Sequence, residues 1–78
     1  MVFDAPATEV APWLRPTMGR LEPLEKDRCV VAGSTSNPSM YAGEWLAGMP
    51  FEFTVQGGPE LRRAVVELSE RMARAVAQ

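Results

Sequence analysis

Several common means of stabilising or equipping a small protein are missing from this sequence. Its 78 residues include no histidine and a single cysteine, Cys29, so neither an internal disulfide nor a Cys/His zinc site is expected. No apolar run approaches the ~18 residues of a membrane-spanning helix, and no signal peptide is recognisable. A lone thiol is typical of a reducing compartment, so we expect a cytoplasmic protein without membrane attachment.

A large excess of positive or negative charge is also missing. The formal net charge of −2 argues against broad non-specific attachment to nucleic acid or to an anionic membrane. The hydrophobic fraction is 46%. A chain of this length buries only about 60–65% of its unfolded surface, so its margin of stability is small. We therefore expect a single domain over residues 1–78 that depends on a well-packed core, on a partner subunit or on the rest of a longer chain.

Turn residues and apolar periodicity divide the chain into seven predicted elements. In chain order they are the strand Met1–Ala5, the helix Thr8–Met18, the strands Arg20–Glu25 and Arg28–Thr35, the helix Pro38–Gly48, the strand Phe51–Gln56 and a long helix from Pro59. Thr8 and Asn37 are predicted N-caps. Pro16 is expected to end or kink the first helix, and Pro23 places its strand at a sheet edge, joined to the next strand by a hairpin turn at Lys26 and Asp27.

The first six elements follow the β-α-β-β-α-β order of a ferredoxin-like fold. The predicted class is therefore α+β, with a four-stranded antiparallel sheet, helices on one face and an extra C-terminal helix. Trp13, Trp45 and Phe53 are expected to be buried between helices and sheet. The last helix carries one apolar stripe, at Leu61, Val65, Leu68, Met72 and Val76. One sheet face cannot cover this much apolar surface, so we expect a homodimer that uses the last helix or an edge strand.

Gly57 and Gly58 have two interpretations, a phosphate-binding loop or a plain turn. A phosphate-binding loop supplies backbone amides, usually with a lysine and a serine or threonine behind them. Pro59 removes one amide here, and Glu60 places a negative charge at the helix N-terminus. These neighbours favour a turn in which Gly58 is the N-cap and Pro59 the first helical residue.

Other side chains could carry chemistry, but each has a structural alternative that the sequence favours. Cys29 lies in an apolar strand with no histidine to act as base, which favours a buried thiol over a nucleophile. Carboxylates interleaved with basic residues favour a solvated face over an acid–base pair; they are Glu22, Glu25, Asp27, Glu67 and Glu70. The aromatic residues favour a core over a nucleic-acid stacking platform; they are Trp13, Tyr41, Trp45, Phe51 and Phe53. We predict no enzyme, no catalytic residue, no metal and no cofactor.

Nearly the whole chain resembles the WCX domain, the C-terminal extension of WYL-domain bacterial transcriptional regulators. The resemblance rests on the segments "ATEVAPWLRP", "EWLAGMP" and "FEFTVQGGPELRRAV". In that family an alternating V-x-V strand leads to a P-x-L-R helix start, here Val55, Pro59, Leu61 and Arg62. Two segments depart from the family pattern: "EKDR" lacks the glycine of the family's hairpin turn, and "GSTSNPSMYAG" is poor in leucine.

The resemblance implies a regulatory module of a longer protein. Such regulators carry an N-terminal helix-turn-helix domain that contacts DNA and a WYL domain of Sm-like form, so Met1 would not be the native start. The extension would contact the WYL domain of the same chain, help to assemble the dimer and transmit the binding of an effector whose identity is unknown. A free-standing ferredoxin-like domain that binds small molecules is the alternative function.

Arg62 and Arg63 are the candidate contacts with a partner or an effector. Arg62 follows Leu61 in the P-x-L-R pattern and lies in the first helical turn, where a cation is slightly unfavourable for the helix dipole. The structural alternative is an arginine that is solvated or paired with Glu60 or Glu67. The same alternative, a solubilising face, applies to the basic residues of the last helix as a group, which are Arg62, Arg63, Arg71 and Arg74.

Overall fold

Strands and helical segments alternate along the computed structural model, which describes residues 1–33 and 35–77. The strands and α-helices are β1 (Val2–Phe3), α1 (Ala7–Val10), β2 (Arg20–Glu25), β3 (Arg28–Ala32), α2 (Pro38–Met40), β4 (Phe53–Thr54) and α3 (Pro59–Ala75). Two 3₁₀ turns, Ala11–Trp13 and Pro16–Met18, lie between α1 and β2. α2 continues into a π-helical turn, Tyr41–Trp45, and then a 3₁₀ turn, Leu46–Gly48.

Four strands of the described residues form one antiparallel sheet in the order β2-β3-β1-β4. β1 is central, with Phe3 opposite Cys29 on one side and opposite Phe53 on the other. The predicted hairpin is confirmed, and Pro23 lies in an edge strand as expected. The fold is therefore α+β with an antiparallel sheet. β3 ends at Ala32, short of the predicted Thr35, and Ser34 lies outside the described residues.

The single helix predicted from Thr8 to Met18 is wrong. α1 begins at Ala7, with Pro6 and not Thr8 at the N-cap, and its regular turns end at Val10. Proline cannot donate a backbone hydrogen bond, and it drives the preceding residue into extended conformation. Ala11, which precedes Pro12, keeps helical dihedrals at φ −50° and ψ −43°, so at Pro12 the missing amide accompanies the change to a 3₁₀ turn. Arg15, which precedes Pro16, is extended at φ −107° and ψ 152°.

The second helical segment begins as predicted and then departs from regular α geometry. The Asn37 side chain caps α2 by accepting a hydrogen bond from the Met40 backbone amide at 3.2 Å, with Pro38 as the first helical residue. The following π-helical turn is wider than an α turn and sets the rings of Tyr41 and Trp45 edge to face at 4.9 Å. Trp45 is buried, as the four-residue spacing predicted.

The core lies between one face of the sheet and this helical layer. Phe3 is fully buried and contacts the rings of Trp45 and Phe53, each at a centroid distance of 6.0 Å. Val10 and Leu46 pack in the same cluster. Around β4 the predicted alternation is confirmed, because residues 51, 53 and 55 are half-buried whereas residues 52, 54 and 56 are exposed.

The long helix α3 begins at Pro59, as predicted, but the domain covers only the first part of its apolar stripe. Leu61, Val65 and Leu68 are half-buried. Further along, Met72 is 54% exposed and Val76 is 82% exposed. The end of α3 therefore extends past the part of the domain that covers its start, and the molecule extends 41 Å in its longest direction against 25 and 19 Å in the others.

Replacing Phe3 by alanine should lower the free energy of unfolding by about 3–5 kcal/mol, because a fully buried ring leaves a cavity. Phe53→Ala should cost less, since the Phe53 side chain is only half-buried; the sequence alone placed it fully in the core. Urea denaturation followed by circular dichroism measures both losses. A larger loss for Phe53→Ala than for Phe3→Ala would contradict the order of burial.

Candidate functional site

The turn between β4 and α3 is built on two glycines with left-handed backbone. Gly57 has φ +69° and Gly58 has φ +52°. An added Cβ would meet nothing within 4 Å at Gly57, and at Gly58 only the Leu61 Cβ at 3.8 Å. Backbone conformation, not lack of space, therefore favours glycine at both positions. Gly58 is the N-cap of α3 and Pro59 its first residue, as the sequence predicted.

Arg62 closes this turn on itself. Its guanidinium Nη2 donates a hydrogen bond to the Val55 carbonyl at 2.8 Å, and its backbone amide donates to the Gly58 carbonyl at 3.0 Å. The first turn of α3 is thereby tied to the end of β4. The predicted alternative, a pairing with a nearby glutamate, is not what the structure shows; within residues 1–33 and 35–77 the ion pairs are Arg20–Glu22 and Arg28–Glu25.

Arg63, the second candidate contact, is not brought to the same place. It is exposed, and one residue along a helix corresponds to a rotation of about 100° around the axis. In the described part of the chain its side chain makes neither an ion pair nor a hydrogen bond. The two arginines predicted as one site therefore have different roles. Arg62 links α3 to the end of β4, whereas Arg63 faces solvent.

A cleft of about 210 Å³ lies beside the Gly57–Gly58 turn, between the end of β3, α2 and the start of α3. Two of its polar side chains are already engaged. The Thr35 hydroxyl accepts a hydrogen bond from the Asn37 backbone amide at 3.1 Å, and the Tyr41 hydroxyl donates one to the Met18 carbonyl at 3.1 Å. Typical small-molecule sites occupy about 300–1,000 Å³, so this cleft is small for such a role.

Cys29, considered above as a nucleophile, is fully buried in β3. Burial raises the pKa of its thiol, which keeps the sulfur in the protonated, unreactive form. The prediction of a buried thiol is confirmed. The prediction of a solvated face for the carboxylates is also confirmed, because all five are exposed: Glu22, Glu25, Asp27, Glu67 and Glu70.

Among the five aromatic residues considered above, Trp45 is buried as expected, and Tyr41, Phe51 and Phe53 are half-buried against the core. Trp13 is 47% exposed and packs its ring edge to face on Phe51 at 6.2 Å. Its carbonyl accepts a hydrogen bond from the Trp45 indole at 3.0 Å. The prediction that Trp13 is buried is wrong because the helix that would have carried it inward ends at Val10. Pro12 and Pro16 were the signals in the sequence that could have revealed this.

Comparison of the chain with protein-family models, with curated proteins and with solved structures finds no match. Among the described residues, no three His, Cys, Asp or Glu side chains form a group that could hold a metal ion. No helix in residues 1–33 or 35–77 has the length and apolar character needed to cross a membrane.

Gly57→Ala should lower the free energy of unfolding by roughly 1 kcal/mol, because alanine is strained at positive φ. Gly43→Ala is the matched control: it lies in the helical layer, meets nothing within 4 Å and has no positive φ, so stability should hold or rise slightly. Thermal unfolding of both variants and of the wild-type protein, with and without phosphate, measures these changes in stability. A Gly57→Ala protein as stable as wild type, or one that alone loses a phosphate-dependent stabilisation, would contradict the assignment of a plain turn.

Tyr41 predicts a specific response to alkaline pH. Burial raises the pKa of its phenol above the usual value near 10, so the neutral form stabilises the folded state. That contribution is complete below about pH 10 and is lost as the pH rises through the folded-state pKa. Tyr41→Phe should therefore lose about 1 kcal/mol at pH 7, with its hydrogen bond to Met18, and decline less steeply above pH 10. Urea unfolding at pH 7, 9.5 and 11 measures this, and parallel declines of the two proteins would contradict it.

Proposed function

We propose that the chain is a WCX-like regulatory domain of a WYL-type bacterial transcriptional regulator and that it acts through protein–protein contact, not catalysis. The observation that carries the proposal is the closed turn between β4 and α3. The residues of the V-x-V and P-x-L-R pattern meet there, with the Arg62 guanidinium on the Val55 carbonyl at 2.8 Å and Pro59 as the first helical residue. Val55 and Arg62 form the hydrogen bond that closes the turn, and Pro59 begins the helix.

We assign the fold to the ferredoxin-like class. The support is the strand order β2-β3-β1-β4 with antiparallel neighbours, together with the β-α-β-β-α-β sequence of the first six elements. Val10 of the first helical segment and Trp45 of the second pack in one cluster with Phe3, so both segments cover the same sheet face. In this assignment α3 is an addition to the basic fold, available for contacts with other parts of a regulator.

The exposed apolar side chains of α3 and its surroundings support the proposed regulatory role. Met72 and Val76 on α3, and Trp13 near β4, are large apolar side chains with about half or more of their surface exposed. Met72 and Val76 are four residues apart and so lie on one face of α3, and adjoining exposed apolar side chains favour protein–protein contact. In this role the domain assembles a homodimer, contacts the WYL domain of its own chain and passes effector binding to a cytoplasmic DNA-binding domain in the N-terminal part of the regulator.

The cleft beside the Gly57–Gly58 turn is the observation that favours the alternative, a small-molecule-binding domain. The two functions differ in a thermal-shift screen with metabolites. A contact module should show no shift, whereas a metabolite-binding domain should be stabilised by one compound. Tyr41→Phe should then weaken that stabilisation, since Tyr41 lines the cleft. A reproducible shift of this kind would contradict the proposal of a contact module.

The chain should form a dimer in solution, with a mass near twice the 8.6 kDa of one copy. Arg62→Ala should weaken the dimer by loosening the junction of β4 and α3, whereas Arg63→Ala, which removes an equal charge from the same helical turn, should not. Light scattering over a range of concentrations measures all three proteins. A monomer mass at high micromolar concentration would overturn the dimer role, and equal effects of the two substitutions would remove Arg62 from it.

A further inference from the structure

The two edges of the sheet differ in how they are protected against the addition of another strand. At the β2 edge, Pro23 lacks a backbone amide, and the ladder is irregular between Pro23 and Glu25. Charged side chains also line β2, including the Arg20–Glu22 ion pair at 3.2 Å. Proline, a bulge and charge are the features by which natural sheets block an edge, so β2 is closed to pairing.

At the other edge, β4 presents unpaired backbone groups. The Asp4 amide donates to the Glu52 carbonyl at 2.9 Å, and Phe3 lies opposite Phe53. Since hydrogen-bonded and non-hydrogen-bonded pairs alternate in an antiparallel ladder, the amide and carbonyl of Phe53 point away from β1. Neither group has a hydrogen-bond partner within residues 1–33 and 35–77.

Arg62 marks the limit of this open edge. The Val55 carbonyl also points outward by the same alternation, and it is the group that the Arg62 guanidinium binds at 2.8 Å. The open stretch therefore centres on Phe53 and is flanked by Arg62 at one end. A carbonyl oxygen can accept two hydrogen bonds, so a strand added at this edge would share the Val55 oxygen with Arg62.

Partly exposed aromatic surface surrounds the same edge. Phe51 and Phe53 are half-buried on the helix-covered face, and Trp13, 47% exposed, packs against the ring of Phe51 at 6.2 Å. Tryptophan is enriched among the residues that contribute most to binding at protein interfaces. Open backbone groups and partly exposed aromatic rings thus coincide at one edge, whereas the β2 edge carries three charged side chains, Pro23 and the half-exposed Leu24.

We propose that β4 pairs with β4 of a second copy of this chain, antiparallel and about a two-fold axis at Phe53. This inference rests on the proposed function and names the surface by which the dimer forms. The outward amide and carbonyl of each Phe53 bind those of the partner's Phe53, so both copies satisfy the same two groups. The result is one continuous sheet through both copies.

The side chains of β4 fit this self-pairing. In the two-fold register Glu52 lies opposite the partner's Thr54, and Phe51 lies opposite the partner's Val55. No carboxylate directly faces another carboxylate across the strands, an arrangement that would be destabilising. In this register the two Phe53 rings become neighbours across the axis, and Phe51, with Trp13 packed on it, gains the partner's Val55 as a neighbour. An isologous interface of this kind is the commonest form of protein dimer.

Cysteine cross-linking tests the register. Glu52 and Thr54 are exposed, and across the proposed axis they form a non-hydrogen-bonded pair with Cα atoms about 4.5 Å apart, within disulfide range. An equal mixture of Glu52→Cys and Thr54→Cys proteins should form a disulfide-linked dimer roughly tenfold or more faster than either protein alone. In either protein alone, identical residues would lie roughly 8 Å apart, two positions offset along the strands, which is too far for a disulfide.

The matched control pairs Glu22→Cys, an exposed residue on the β2 edge, with Thr54→Cys. This mixture should cross-link no faster than the single proteins. If the wild-type chain is a dimer by light scattering but the Glu52→Cys and Thr54→Cys mixture shows no advantage over the control, the β4 surface is wrong and the dimer role stands. If the wild-type chain is a monomer at high micromolar concentration, both are overturned.

Hydrogen exchange of single amides gives a second readout that needs no substitution. The Phe53 amide should be protected at concentrations where the dimer forms and should exchange freely on dilution. The Thr54 amide, which points toward β1, should stay protected at both concentrations. A Phe53 amide whose exchange rate does not depend on concentration, in a protein that does dimerise, would overturn the proposed pairing.

Discussion

The contact between Phe3 and Trp45 joins the sheet to its helical layer, and the other parts of the domain are arranged around it. Phe3 lies on the central strand, is fully buried and contacts the rings of both Trp45 and Phe53 at 6.0 Å. Trp45 in turn binds the Trp13 carbonyl through its indole, which anchors the first helical turns. Buried aromatic pairs contribute beyond their area, and in a domain of 78 residues they represent a large share of a small net stability.

Helix starts that are set by a capping residue and a proline could be predicted from the sequence. Helix ends and irregular turns, where apolar spacing and proline favour different conformations or where packing decides, could not. Asn37 before Pro38, and Gly58 before Pro59, leave few conformations open to the backbone, so the starts of α2 and α3 were correct. The segment after Thr8 has apolar residues at helical spacing, but two prolines outweigh that pattern. The π-helical turn at Tyr41–Trp45 has no such local signal; there the packing of two large rings accompanies the departure from α geometry.

The candidate site was predictable only in part, for a related reason. A sequence indicates that Arg62 opposes the helix dipole, but it does not indicate which acceptor lies within reach. The partner is the Val55 carbonyl, a backbone atom, and side-chain patterns carry no information about backbone acceptors at a sheet edge. Arg63 is also a basic residue in the first turns of α3, but its side chain is exposed and makes no such hydrogen bond in the described residues. The exposure of Trp13 likewise depends on where a helix breaks, so the aromatic surface beside β4 emerged only from the three-dimensional structure.

The position of β1 in the sheet bears on how the chain acquires its fold. β1 is the first strand in sequence but occupies the middle of the sheet, and its β4 partner lies about fifty positions further along the chain. The β2–β3 hairpin needs only a two-residue connection and can form early, whereas the central strand must wait for a long loop to close. Contacts of this sequence separation slow folding, so the rate-limiting step should be the insertion of β1 between two elements already made. In a newly synthesised chain Phe3 can meet Cys29 and Trp45 first, but one side of β1 stays unpaired until β4 has emerged.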